Sequence, residues 1–299
     1  VLDIREADSR TPVVGNAGRE QHAAGRRHRQ TTLSNACLRV DIEAGRHSGI
    51  GQFEWNDRGM WTPVFRSAQR QESLSASRRL ACQPSIWIPG ITNDLMDDWK
   101  IDSVGENSLR LQTEVAQRYR AAQIYALDGP TLEITVELEN TGHEPLACGI
   151  EISAALVREP DTRISAPAGG IWIARGTGMA PRLVPAPFAW QFGVTYPLPE
   201  KAVDHAFTGW GGRALVEWPA RRFSLAILGN TDCYRLRALP EEDSFLFQLM
   251  QDQSEHGTVR GGDGVSALTK LAARGTLSRR VSFTVERLAS LTKTARYAT

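Results

Sequence analysis

The segment VDHAFTGW, residues 203–210, places an acid, an imidazole, two aromatic rings and a glycine just ahead of GGRALVEWP. Asp204 offers a carboxylate that can accept hydrogen bonds from two neighbouring hydroxyls, and His205 offers an imidazole, a group able to donate or accept a proton. Trp210 presents a flat apolar face to C–H groups, as do Trp87 and Trp99, although core packing is the commoner use of tryptophan. A strand through this segment sends Asp204 and His205 to opposite faces, because side chains alternate; a turn relaxes that rule. The mixture suits the wall of a polar pocket better than a buried strand or a solvated loop. Taken singly, Asp204 is equally a turn-capping residue ahead of a strand.

Other reactive groups carry less. Asp97 and Asp98 form an acidic pair that reads as a solvated turn rather than a metal site. His47 in GRHSG and His143 in NTGHEP read as exposed loop histidines. GGDG at 261–264 is too short for a phosphate loop and lacks the strand–loop–helix context. Cys37, Cys82, Cys148 and Cys233 are scattered, with no C-x-x-C and no histidine at zinc spacing, so separate buried thiols are expected. No metal and no cofactor is expected.

The elements that must hold these residues follow a period of two. CLRVDI alternates through Leu38, Val40 and Ile42, and TLEITVELEN through Leu132, Ile134, Val136 and Leu138, with Glu or Thr between. RALVEW, CYRLRAL, SFLFQL and VSFTVERL repeat the pattern, and NDRG, LDGP, NTGHEP and APAGG supply turns. Apolar–polar alternation predicts antiparallel sheets, each with one buried face. GVSALTKLAARG is the best helical candidate, but the glycines around it favour a loop or a short strand. No solenoid or propeller repeat is present. The reading is an all-β chain: one large sandwich from residue 31 to 290, a polar Arg-rich N-terminal tail over 1–30 and a C-terminal tail over 291–299.

The balance of charge narrows the partners. With 35 basic and 34 acidic residues the chain is nearly neutral, which disfavours nucleic acid or an anionic membrane as the main partner. No run approaches the roughly 18 apolar residues of a membrane span. VLDIREADSRTP lacks the apolar centre of a signal peptide, so a cytoplasmic location is expected. Nothing in the sequence specifies an oligomeric state.

Several segments, in order, resemble the aldose 1-epimerase (galactose mutarotase) family. LSNACLRVDIEAGRHSGIGQFEW is similar to its first hairpin, and QRYRAAQIYALDGPTLEITVELENTGHEPLACGIEI to its central meander. VREPDTRI, LPEKAVDHAFTGWGGRALVEWP and LRALPEEDSFLFQLMQDQSEHG then follow, so the likeness runs over roughly residues 33–288. Its most specific piece is the opening segment, which matches the family's Asp-x-x-Phe. The resemblance implies an antiparallel β-supersandwich and a small-molecule carbohydrate ligand. Arg158 and Asp161 of REPDTR are expected to fix a loop.

The family's reaction needs a base to take the anomeric hydroxyl proton and an acid to protonate the ring oxygen, each contributing about 10²–10⁴-fold. Carried over residue by residue, the resemblance implies that Asp204 is the sugar-holding aspartate. The family's acid, a histidine in His-Pro-Tyr, falls on Ser153, and its base, a glutamate, falls on Gln251. Neither can exchange a proton at neutral pH. The second histidine and the Asn-Arg pair have no counterpart between ACQPSIWIPG and DDWKIDSVG. The resemblance therefore implies a sugar-binding protein with weak or no ordinary mutarotase activity, with Asp204, Trp210, Gln251 and Ser153 as its binding residues. Two other readings stay open. One is an enzyme repurposed for a modified sugar through Asp204, His205, Glu151 or Asp252; Glu151 shares a strand face with Ser153, and Asp252 stands beside Gln251. The other is a non-catalytic structural or partner-binding protein.

Overall fold

The computed structural model describes residues 3–6, 29–45, 48–66, 80–89, 98–173, 181–251, 258–261 and 264–288. Strands form nearly all of its regular structure; one 3-10 turn, Phe188–Trp190, is the helical element among these residues. The first eight strands are β1 (Asp3–Glu6), β2 (Arg29–Ser34), β3 (Leu38–Ala44), β4 (Gly49–Asp57), β5 (Met60–Pro63), β6 (Cys82–Trp87), β7 (Lys100–Val104) and β8 (Ser108–Val115). The middle of the chain gives β9 (Tyr119–Asp128), β10 (Thr131–Asn140), β11 (Leu146–Val157), β12 (Arg163–Ser165), β13 (Gly170–Ile173), β14 (Arg182–Pro185), β15 (Tyr196–Pro197) and β16 (Val203–Thr208). The last third gives β17 (Arg213–Trp218), β18 (Phe223–Gly229), β19 (Cys233–Ala238), β20 (Ser244–Met250), β21 (Thr258–Gly261), β22 (Gly264–Ala267), β23 (Thr269–Leu271) and β24 (Thr276–Arg287). The segment considered for a helix is thus two short strands, as its glycines suggest.

Every pairing among the described strands is antiparallel. The larger sheet runs β1-β2-β3-β4-β6-β11-β20-β19-β16-β13-β14, with β5 beside β4 and β23 beside β11. The second runs β15-β12-β17-β18-β24-β10-β9-β8-β7, and β21 and β22 form a separate hairpin. One continuous apolar cluster, from Leu33 to Val285, fills the space between the two large sheets. In β10, Leu132, Ile134, Val136 and Leu138 are all buried, each stabilising the fold by about 2 kcal/mol, while the residues between them are partly exposed. Phe65 meets Phe283 edge-on at 5.1 Å, and the Trp218 indole donates to the Val157 carbonyl at 2.9 Å, so the two sheets are joined by both packing and hydrogen bonding.

Local turn chemistry sets the hairpins. In NDRG, Arg58 and Gly59 both take positive φ (54° and 96°) between the paired residues Asp57 and Met60. That is the two-residue hairpin geometry whose twist matches right-twisted strands. All four cysteines are free thiols, and burial pushes Cys82 far above the ordinary range and Cys148 up to about 11. Among the described residues no helix is long and apolar enough to cross a membrane.

The stretch expected to be an N-terminal tail includes strand. Residues 3–6 form β1, whose Asp3 and Glu6 pair with Thr32 and Arg29 of β2, and β2 itself begins at Arg29. A four-residue strand of mostly charged residues carries no alternation for a sequence reading to find. Residues 7–28 and 291–299 lie outside the described residues.

Candidate functional site

The larger sheet has a second face, turned away from the sandwich core. In β11, Cys148, Ile150, Ile152, Ala154 and Leu156 point inward, which leaves Gly149, Glu151, Ser153, Ala155 and Val157 on the outer face. Register then defines a row across six strands: Gln83, Ser153, Gln248, Arg235, Ala206 and Trp172 are successive cross-strand partners on β6, β11, β20, β19, β16 and β13. Such partners stand close enough to share a ligand or one another's polar atoms.

Glu151 is a buried charge of this face, 7% exposed, as is Glu54 farther along the sheet, which accepts from Arg39. Glu151 Oε2 accepts from Gln248 Nε2 at 2.6 Å and from Trp87 Nε1 at 3.2 Å, one donor from the strand on either side. A carboxylate so far from water is tolerated only when donors meet its charge. Asp204 sits at the other end of the face and is 39% exposed on its side chain. Its two oxygens accept from Arg235 Nε at 2.7 Å and Nη2 at 3.0 Å, a bidentate fork. An ion pair this exposed adds only about 0–1 kcal/mol to stability, so it is better understood as presenting polar atoms than as holding the fold. Arg237, next along β19, is paired in the same way with Glu242. Between the two carboxylates lies a small apolar patch of Ala206, Cys233 and Met250, with Trp172 packed against it.

The expected site residues part company here. Ser153 and Glu151 share the outer face with Asp204, as the alternation of β11 and β16 requires. His205 does not: it pairs with Leu236, on the core side of β16, and its ring lies 5.0 Å from that of Trp190. Trp210 is a correction. Its indole is 3% exposed, set edge-on to Tyr234 (5.4 Å) and Phe247 (5.8 Å), with Nε1 donating to the Arg213 carbonyl at 2.7 Å. Its N–H is satisfied and its rings are packed, so it belongs to the core and has no face to offer a ligand. Trp99 is buried as well. Gln251 follows the last residue of β20; its amide donates to Thr269 Oγ1 of β23, and its own Oε1 is buried without a hydrogen-bond partner. Asp252, Asp97 and His47 lie outside the described residues.

The backbones of Glu151 and Asp204 are three strand spacings and four residues apart, on the order of 20 Å along the sheet. Their carboxylates reach inward from the two ends, to Gln248 and Arg235, which are cross-strand partners of one another. Among the described residues no group of three or more His, Cys, Asp or Glu is placed to hold a metal ion. Arg158 and Asp161 anchor loops, as expected: Arg158 donates to the carbonyls of Leu239 (2.7 Å) and Pro199 (3.1 Å), and Asp161 accepts from Ala220 N–H at 2.6 Å.

Gln248 and Arg235 escaped the sequence reading. Their signal was available as polar residues at the outward positions of SFLFQLM and CYRLRAL. Nothing in either segment alone says that those positions face Ser153 and Asp204.

No protein-family model matches the chain. The uncharacterised protein YphB of Escherichia coli K12 is 28% identical over 291 residues, covering 84% of this chain and 98% of that protein. A provisionally assigned aldose 1-epimerase from Escherichia coli K12 superposes with a TM-score of 0.69 at 22% identity, over 86% of this chain and 98% of its own. A galactose mutarotase-like protein from Lactobacillus casei gives 0.66 at 11% identity, over 86% and 100%. Galactose 1-epimerase from Lactobacillus acidophilus gives 0.60 at 11% identity, over 96% and 99%. With two antiparallel sheets packed as a sandwich and these structures as its neighbours, the chain has the galactose mutarotase-like fold.

Proposed function

We propose that the chain is an aldose 1-epimerase-like protein that holds a sugar or sugar-like ligand on the outer face of the larger sheet, with weak or no ordinary mutarotase activity. The observation that carries this reading is the cross-strand row of Ser153, Gln248 and Arg235, flanked by Asp204 at one end and Glu151 at the other. Amides, a hydroxyl, carboxylates and a guanidinium beside an apolar patch match the alternating hydroxyl and C–H surfaces of a pyranose. Asp204 and Arg235 supply acceptors and donors together, and the ligand is a small carbohydrate that needs no cofactor.

Chemistry of the ordinary kind is disfavoured by the same residues. Ser153 stands where the resemblance puts the acid, and a serine hydroxyl does not release a proton at neutral pH. Gln251 stands where it puts the base, and its amide is turned to Thr269. A thermal-shift screen of monosaccharides and sugar phosphates tests the binding. A ligand at 100 times its Kd adds about 2.7 kcal/mol to stability, a clear shift. Failure of every sugar to shift the transition refutes the reading, as does efficient mutarotation of α-galactose followed by polarimetry.

A further inference from the structure

We infer that the segment from Arg182 to Pro197, which borders one side of the sandwich, is a docking surface for a second copy of this chain. The inference is independent of the sugar-binding reading.

The composition of the segment sets it apart. PRLVPAPFAWQFGVTYPLP, residues 181–199, holds one charged side chain, Arg182, in a chain that is 23% charged. The fold then puts this run at an edge. The larger sheet ends on β14 and the second sheet ends on β15, so a single stretch of chain forms the border of both. The opposite borders are β1, DIRE, and β7, KIDSV, which carry the charges that keep exposed sheet edges apart. Five of the eight large apolar side chains exposed among the described residues lie on the uncharged border or beside it. They are Ile173 (38%), Leu183 (48%), Phe188 (83%), Val194 (60%) and Tyr196 (51%). At those exposures they leave on the order of 500 Å² of apolar surface open, the upper range for one patch on a monomer.

This surface is held rigidly from beneath. Ala186, Phe192 and Leu198 turn inward and are buried, with the Phe192 ring 5.7 Å from that of Phe207. The Phe192 carbonyl accepts from Ala166 N–H at 3.0 Å and from Ser165 Oγ at 3.2 Å, and Leu198 N–H donates to the Thr162 carbonyl at 3.0 Å. Prolines at 185, 187 and 197 restrict the backbone further. Phe188, Val194 and Tyr196 are thereby set outward before any partner arrives, so little conformational entropy is lost on docking. Pro185 and Pro197 also lack the N–H that strand addition uses, so side chains make the contact and neither sheet is extended.

Charge and size select a second copy. A two-fold contact sets a patch against itself, and a patch whose lone charge lies at one end does not repel its twin. A standard interface takes about 800 Å² from each partner, with an aromatic, charge-depleted centre. The five side chains approach that area together with the exposed Arg182, Pro185 and Pro187 around them. A copy seated here also borders the outer face, because Leu183 is the cross-strand partner of Trp172, the end of the row that begins at Gln83.

Sedimentation velocity and light scattering on the full chain, from about 1 to 100 μM, test the inference. The wild-type chain is expected at twice its own mass at the upper concentrations. Phe188→Asp and Tyr196→Asp each put a charge into the apolar centre and should weaken association by about 30–1,000-fold. Both positions are exposed, so each variant should keep the circular dichroism of the wild type; should either misfold, Val194→Lys takes its place. Leu228→Asp changes a similarly exposed side chain three strands in from β15 and should leave association unchanged. A chain that stays monomeric at about 100 μM overturns the inference, whatever else the patch binds. So does a dimer that survives the substitutions at the border, or one that Leu228→Asp weakens as much.

Discussion

Removing a single oxygen atom, in Tyr234→Phe, measures how the core supports the outer face. Tyr234 is fully buried on β19, stacked between Phe207 of β16 (4.9 Å, 5°) and Phe247 of β20 (4.8 Å, 17°), with Trp210 edge-on at 5.4 Å. Its hydroxyl donates to the Ala166 carbonyl at 2.7 Å, and burial holds the phenol well above its ordinary pKa, so the donor stays protonated. Phenylalanine keeps every ring contact and deletes only the donor. The net worth of the hydrogen bond is about 0.5–1.5 kcal/mol, and leaving a buried carbonyl unmet raises the cost toward about 3 kcal/mol. We therefore expect a loss of roughly 1–3 kcal/mol, which for a chain of this size is a fall in Tm of about 2–4 °C per kcal/mol. Tyr234→Ala also removes the ring and should cost about 3–5 kcal/mol, set by the cavity between Phe207 and Phe247. Urea unfolding followed by tryptophan fluorescence gives the comparison, with an unchanged m-value showing that stability alone has moved. A Tyr234→Phe variant within about 0.3 kcal/mol of wild type would refute the hydrogen bond as a supporting contact. So would a variant whose loss equals that of Tyr234→Ala.

Further tests address the face and the thiols. Asp204→Asn should weaken hexose binding by about tenfold at most, because water already competes for its exposed carboxylate; titration calorimetry reads the change, and a larger loss would contradict the argument from exposure. Ser153→His combined with Gln251→Glu should leave mutarotation of α-galactose at the uncatalysed rate, since the side chain at 251 is directed to Thr269; a competent rate by polarimetry would show that the two positions do meet. Under native conditions a thiol reagent should modify the half-buried Cys37 and spare Cys82, Cys148 and Cys233 until the chain unfolds. Cys148 is held at about 11 against an ordinary value of 9.0, so the folded state keeps a proton that the unfolded state releases. Its contribution to stability is therefore full below pH 9.0 and is lost as the pH rises toward about 11, a decline that Cys148→Ala should flatten in urea midpoints across that range.

Much of the architecture could be read from the chain because a sheet with one buried face writes its period into the sequence. TLEITVELEN and CLRVDI show which residues face inward, and the same rule correctly separates Asp204 from His205. The site was harder, for a topological reason. Glu151 receives its hydrogen bonds from residues 64 and 97 positions away, on strands that become neighbours only through the order β6-β11-β20. Alternation tells which side of a strand a residue occupies, but not which strand lies beside it. Trp210 misled for a different reason: it follows β16 at Gly209, which takes a φ of 72°, and the chain's change of direction there carries the indole into the core. Gln251 lies one residue past the end of β20, where parity no longer applies.

The two-sidedness of the larger sheet also means that stability and chemistry are written on different residues of the same strands. Along β11 the inward set of Ile150, Ile152 and Ala154 answers to the core, while Ser153 answers to what approaches from outside and Glu151 to its outer-face donors, Trp87 and Gln248. Substitutions on opposite faces share few contacts, and their energetic effects should be close to additive. The outer face can thus be redrawn, exchanging an acid for a serine or a base for an amide, with the sandwich beneath it left standing. For protein engineering this makes Gln83, Ser153, Arg235 and Trp172 a small randomisable panel on a fixed support, with Gln248 kept as a donor to the buried Glu151. A library over those four positions should yield folded proteins far more often than one of equal size drawn from Ile152, Phe247, Tyr234 and Phe207 behind them.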